Sequence, residues 1–204
     1  ILKMPTYIIA ITGASGAIYG IKLLEYMLKN GLKIYLTITK EGLYILREEV
    51  GVLWEGKECE INSVICNYYG VSKDTLCYYD ETNLTAAIAS GSVHTDGMIV
   101  VPCSMKVAAS IACGFASNLV ERAADVILKE KRPLIIVPRE TPLNSIHLRN
   151  LLTLSDMGVH VIPAMPAFYT KPTTVADIVD FVVGRILDSL HIENNLFKRW
   201  MDSK

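Results

Sequence analysis

Tyr7-Ile8-Ile9-Ala10-Ile11-Thr12-Gly13-Ala14-Ser15-Gly16-Ala17 decides the architecture of this chain. An apolar, β-branched run stops at a pair of glycines. Ile18, Ile21, Leu24 and Leu28 then recur at helical spacing until Asn30-Gly31 ends the helix. A continuous apolar strand that passes through a tight turn into a helix is the repeating unit of a parallel sheet covered by helices.

The same alternation continues along the chain. Lys33–Thr39 reads as a strand and Glu41–Val50 as a helix. Gly51 to about Ser92 is the least regular region, with a short helix, an edge strand near Leu76–Tyr79 and a loop through Ala89-Ser90-Gly91-Ser92. Gly97–Val101 is a strand, and Pro102-Cys103-Ser104 turns into a helix ending near Ala112. Asn118–Glu130 is a helix with Asn118 as its N-cap, Leu134–Val137 a strand, Leu143–Met157 a helix and Val159–Ile162 a strand. After the loop Pro163–Pro172, Thr174 caps a last helix that runs to about Leu190. The pattern predicts an α/β fold, a doubly wound and mostly parallel sheet flanked by helices. Without repeats or linkers, residues 1–204 form one domain, and the tail Ile192–Lys204, with Leu196, Phe197 and Trp200, docks on a neighbouring surface.

Composition narrows the function. The net charge of -1 over 204 residues offers no basic footprint for nucleic acid, and no apolar run is long enough to span a bilayer. Five cysteines, an odd number without a C-x-x-C pair, point to reduced thiols. With no secretion-signal pattern in Ile1–Met4, the expectation is a cytoplasmic protein. A hydrophobic fraction of 51% suggests that apolar surface is buried between subunits of a homo-oligomer.

In an open parallel sheet, ligands bind beyond the carboxyl ends of the strands. Several unusual residues fall there. Thr12–Ala17 can present backbone N–H groups to an anion, or can be a tight turn with no ligand; its glycines do not have G-x-G-x-x-G spacing. Pro102-Cys103-Ser104-Met105 is a second such junction, where Ser104 is a ligand contact or only an N-cap, and Cys103 a nucleophile or a small buried residue. Arg139-Glu140 ends the run Leu134–Pro138 and is either a ligand contact or a solvated ion pair. Arg122 and Lys129, seven residues apart, share a helix face at roughly 10 Å. They bind an anion or pair with Glu121, Asp125 or Glu130. Tyr169 and Arg185, taken singly, pass as surface residues. His94, His147, His160 and His191 have no metal-ligand spacing, so no metal site is expected.

Taken together, Thr12–Ala17, Val101–Ser104, Asn118–Val126, Val137–Pro142 and the Phe168-Tyr169 loop resemble the flavin prenyltransferases of the UbiX family, nearly end to end. The resemblance implies a Rossmann-like flavoprotein, a homododecamer with active sites at subunit junctions. It implies transfer of a dimethylallyl group from dimethylallyl phosphate to reduced FMN, giving prenylated FMN for UbiD-type decarboxylases, without a metal. Carried over residue by residue, Gly13, Ala14, Ser15, Thr39, Ser104, Met105, Lys106, Val107 and Arg139 would contact FMN. Lys129, Arg139, Glu140, Tyr169 and Arg185 would hold the prenyl phosphate, with Arg122 nearby and with Tyr169 and Arg185 supplied by a neighbouring subunit. Ser15, Glu49 and Glu140 would take catalytic roles. Leu84 stands near the place of a tryptophan common in the family.

Two other readings share the fold. A flavin-dependent cysteine decarboxylase of the phosphopantothenoylcysteine type would carry a Pro-x-Met-Asn motif, where this chain has Pro163-Ala164-Met165-Pro166. A non-catalytic FMN carrier subunit would have no need of Lys129, Glu140 and Tyr169 together. A short-chain dehydrogenase, suggested by Thr12-Gly13-Ala14-Ser15, is a third and weaker reading.

Overall fold

A computed structural model describes residues 4–201. Six strands form one sheet in the order β3-β2-β1-β4-β5-β6, and every pairing is parallel. They are β1 (Thr6–Ile11), β2 (Lys33–Ile38), β3 (Leu76–Asp80), β4 (Gly97–Cys103), β5 (Leu134–Pro138) and β6 (His160–Val161). The α-helices are α1 (Ala17–Lys29), α2 (Lys40–Ile45), α3 (Glu58–Tyr69), α4 (Met105–Ala112), α5 (Leu119–Lys129), α6 (Ser145–Asp156) and α7 (Val175–Ser189). The fold is therefore the expected doubly wound sheet, all-parallel rather than mostly so.

Strand alternation divides the core in two. Tyr7, Ile9, Ile11, Ile99, Val101, Ile135 and Val137 pack with residues of α1, α3 and α7. Ile8, Ala10, Met98, Val100, Leu134 and Ile136 pack with α4 and α5 on the other face. Both faces of the central strands are buried, which is why their sequences read as continuous apolar runs. The chain reverses its winding between β1 and β4, so the crevice beyond their carboxyl ends is the place for a ligand.

Three local details differ from expectation. The helix expected over Glu41–Val50 is α-helical only to Ile45; Leu46–Val50 is a π-helical turn. A π-turn re-aims side chains by widening the backbone ring, a pattern that hydrophobic periodicity does not encode. The short helix expected after Gly51 is α3, twelve residues long. Helix α6 starts at Ser145 rather than Leu143, because Asn144 caps it by accepting the His147 N–H at 2.9 Å. The tail docks on α7 of its own chain: Phe197 packs on Phe181, and Trp200 meets Tyr169 edge-on. Residues 202–204 of that tail lie outside the described residues.

Candidate flavin and phosphate site

The hydroxyl of Thr12, fully buried, ties β1 to β4 at their carboxyl ends. It donates to the Pro102 carbonyl at 2.8 Å and accepts the Ser104 N–H at 2.8 Å. The two strand-to-helix turns read from the sequence are thus one structure. Beside it lies a cleft lined by Gly13, Thr39, Glu41, Ser104, Lys106, Val107 and Asn118.

Three of these lining residues are helix N-caps. Thr39 caps α2 by accepting from Gly42, Ser104 caps α4 by accepting from Val107, and Asn118 caps α5 by accepting from Glu121. Three helix N-termini converging on one cleft give it a positive potential from backbone dipoles alone. The Lys106 ammonium, 3.8 Å from Glu41, adds a mobile cation at the rim. A phosphomonoester suits this donor set. Gly13 has a structural duty as well: a Cβ there would come within 2.4 Å of the Glu41 Cβ, so the glycine lets α2 close over the turn.

The π-turn carries Glu49 to the start of α1. Its carboxylate accepts the Gly16 N–H at 2.8 Å and the Ala17 N–H at 3.0 Å. Gly16, the N-cap of α1, has no side chain to offer, so Glu49 caps the helix from a distance in sequence. Gly16 sits at φ 103°, where a side chain would be strained. Partial burial raises the Glu49 pKa. Hydrogen bonds from the Ser15 hydroxyl and the two amides, with the charge of Arg139, outweigh that and hold the carboxyl below its ordinary range. Glu49 is therefore a carboxylate at neutral pH.

Arg139 completes this cluster, its Nε donating to the Ser15 carbonyl at 3.1 Å. Ser15 thus touches both Glu49 and Arg139. Glu140 accepts the Thr141 N–H at 3.0 Å. Cys103 is fully buried, and burial pushes its thiol up to about 12, so it behaves as a small core residue and not as a nucleophile.

The remaining candidates fall into two separate groups. Lys129 ends α5 and pairs with Glu130 beside Gly91, in the loop that leads into the amino end of β4. Arg139 follows the carboxyl end of β5. The strand between them is five residues long, roughly 17 Å, so one chain cannot bring Lys129 and Arg139 onto one phosphate. Arg122 donates to the Ala89 carbonyl at 3.1 Å and to Asp125 at 2.8 Å, which ties it into that same loop. The ion pairs weighed for these cations in the sequence are thus present.

Tyr169 and Arg185 form the other group, along α7. The Tyr169 ring packs edge-on against Phe181 and Trp200. Arg185, one turn beyond Phe181, pairs with Asp188 at 3.2 Å, and Asp188 is also held by Arg199. Sequence reasoning missed Asn118 as part of the site, and it read Thr12 only as the start of a candidate anion-binding turn, not as the tie to Ser104. Their N-cap and turn chemistry was visible, but their convergence was not.

Among the described residues, no helix is long and apolar enough to cross a membrane, and no group of three or more His, Cys, Asp or Glu side chains could hold a metal ion.

Comparison with known proteins gives the family. The Flavoprotein family model matches residues 2–187. The flavin prenyltransferase UbiX of Halalkalibacterium halodurans is 48% identical, with 97% of this chain and 94% of that protein covered. The structure of AnUbiX (PadA1) in complex with FMN and dimethylallyl pyrophosphate superposes with a TM-score of 0.87 at 35% identity, covering 99% of this chain and all of that one. A dodecameric FMN-dependent UbiX-like decarboxylase from Escherichia coli O157:H7 superposes with a TM-score of 0.85 at 41% identity, covering 96% of this chain and 99% of that one. A chain so similar over its whole length belongs to the flavoprotein family and, within it, to the UbiX flavin prenyltransferases.

Proposed function

We propose that this chain transfers a dimethylallyl group from dimethylallyl phosphate to reduced FMN, and that its active sites form between chains of a homo-oligomer. The observation that carries the reading is the junction of Ser15, Glu49 and Arg139 beside a cleft with three helix N-termini. A nucleotide phosphate fits the cleft, with Gly13, Ala14, Ser15, Thr39 and Ser104 to Val107 as the residues that would hold the cofactor. Reduced FMN supplies the nucleophilic ring atoms, N5 and C6, between which the new ring closes.

The chain's own groups then divide the work. Arg139, Lys129 and Arg185 neutralise the charge that grows on the phosphate as its bond to the allyl carbon breaks. The Tyr169 hydroxyl donates to the same oxygens, and Arg122 adds positive potential from the Lys129 side. Glu140 orients the guanidinium of Arg139. Glu49, held as a carboxylate, accepts the proton released on ring closure, and the Ser15 hydroxyl bonded to it helps to pass that proton on. A decarboxylation would give these cations no departing phosphate to stabilise.

Because Lys129 and Arg139 lie off opposite ends of β5, the phosphate clamp draws on more than one chain. The dodecameric relative supports an assembly of that kind. The product serves a UbiD-type decarboxylase, in the cytoplasm. Anaerobic incubation with reduced FMN and dimethylallyl monophosphate or diphosphate, followed by mass spectrometry of the flavin, tests the reading. An unmodified flavin with both donors overturns it.

A further inference from the structure

The loop before β4 is bound to the end of α5 by a group that the reaction above does not use. Arg132 donates from Nη2 to the Gly91 carbonyl at 2.8 Å, and from Nη1 to the Val93 carbonyl at 2.9 Å and to Thr95 Oγ1 at 3.3 Å. Its side chain is only 15% exposed. Glu130 lies 3.9 Å from Arg132 and pairs on its other side with Lys129. Gly91 packs so closely on this pair that a Cβ there would come within 2.2 Å of Glu130 Oε1 and 2.8 Å of Lys129 Nζ.

A solvent-exposed lysine–glutamate pair ordinarily wanders over many rotamers. This one is confined. The planar fork of Arg132 engages three fixed acceptors at once, which a flexible ammonium cannot do. The loop so fixed then presses Gly91 against the pair, with the hydroxyls of Ser90 and Ser92 bonded to each other at 2.9 Å alongside. A cation ordered before binding loses less rotamer freedom when a ligand arrives.

We propose that Arg132 is a positioning residue for the prenyl phosphate: by locking residues 91–95 and Glu130, it sets the Lys129 ammonium where a second copy of the chain presents the phosphate. The inference rests on the reading of Lys129 as a phosphate ligand. Steady-state kinetics of the intact, FMN-loaded oligomer test it, with Arg132→Gln, Arg132→Lys, Gly91→Ala and Lys129→Gln compared. Arg132→Gln should raise KM for dimethylallyl phosphate about tenfold, the equivalent of one misplaced charge-assisted contact, with kcat and FMN affinity within about twofold. Arg132→Lys should recover part of that loss.

Gly91→Ala keeps Arg132 but displaces the Lys129–Glu130 pair, so it should show the same KM effect even where Arg132→Gln does not fold. An unchanged KM in folded Arg132→Gln or Gly91→Ala, alongside a raised KM in Lys129→Gln, would overturn the positioning role alone. An unchanged KM in Lys129→Gln would overturn the phosphate role of Lys129 as well.

Discussion

Thr12 and Ser104 share a hydrogen bond of 2.8 Å, from the Ser104 N–H to the Thr12 hydroxyl, and it joins two turns separated by 92 residues of chain. The same hydroxyl donates to the Pro102 carbonyl. One buried side chain thereby sets the spacing of β1 and β4 where the sheet changes its winding direction, and the cleft lined by Gly13, Thr39 and Ser104 opens beside it.

Replacing Thr12 by valine keeps the shape but takes away the acceptor of the Ser104 amide and leaves the Pro102 carbonyl with the longer bond from the Thr12 N–H, at 3.3 Å. We expect a loss of about 1–3 kcal/mol in stability and weaker FMN binding, while Thr12→Ser keeps the hydroxyl and most of the affinity. Urea denaturation and flavin-fluorescence titration measure both. A valine variant with wild-type stability and affinity would show that the link is dispensable.

Glu49→Gln should bind FMN yet fail to complete ring closure, because an amide accepts the α1 amides but no proton. Mass and absorbance spectra of the flavin product check this. The pH dependence has a definite sign. The Glu49 pKa is lowered from 4.5 in the folded protein, so its stabilising contribution is present above that value and is lost as the pH falls through the lower folded value. Wild type should therefore lose more thermal stability than Glu49→Gln on acidification below 4.5.

Separate placement of Arg139 and Lys129 makes a prediction for mixed oligomers. Arg139→Ala and Lys129→Ala should each be nearly inactive. Co-assembled in equal amounts, they should regain about a quarter of wild-type activity, since a site then needs one intact residue from each of two chains. Activity that stays at the level of the single variants would place both residues within one chain's site.

Gly20→Ala tests how closely α1 rides over the switch point. A Cβ there would lie 2.7 Å from the Val101 carbonyl oxygen and 3.0 Å from Ile11 Cδ1. The Val101 oxygen is backbone of a strand that frames the site and cannot swing away. The expected cost is about 1–3 kcal/mol, read as a lowered Tm, despite the better helix propensity of alanine.

The division of labour between sequence and fold follows from the range of the forces involved. Strand and helix identity, the caps at Ser104, Asn118 and Thr174, and the loading of strand ends with Gly13, Ser104 and Arg139 were legible because each depends on local periodicity or on the chemistry of a few adjacent residues. The motifs that marked the family were legible for the same reason. The π-turn at Leu46–Val50 was not, since its ring expansion leaves no periodic signature and is held by the contact of Glu49 with α1. Nor could residue order reveal that Thr12 binds Ser104, or that three capped helices open on one cleft. Lys129 and Arg139 stand ten positions apart in the chain, which in a sequence looks like proximity. Only the tertiary structure, by running α5 back along the sheet before β5 returns, put them at opposite ends of a strand.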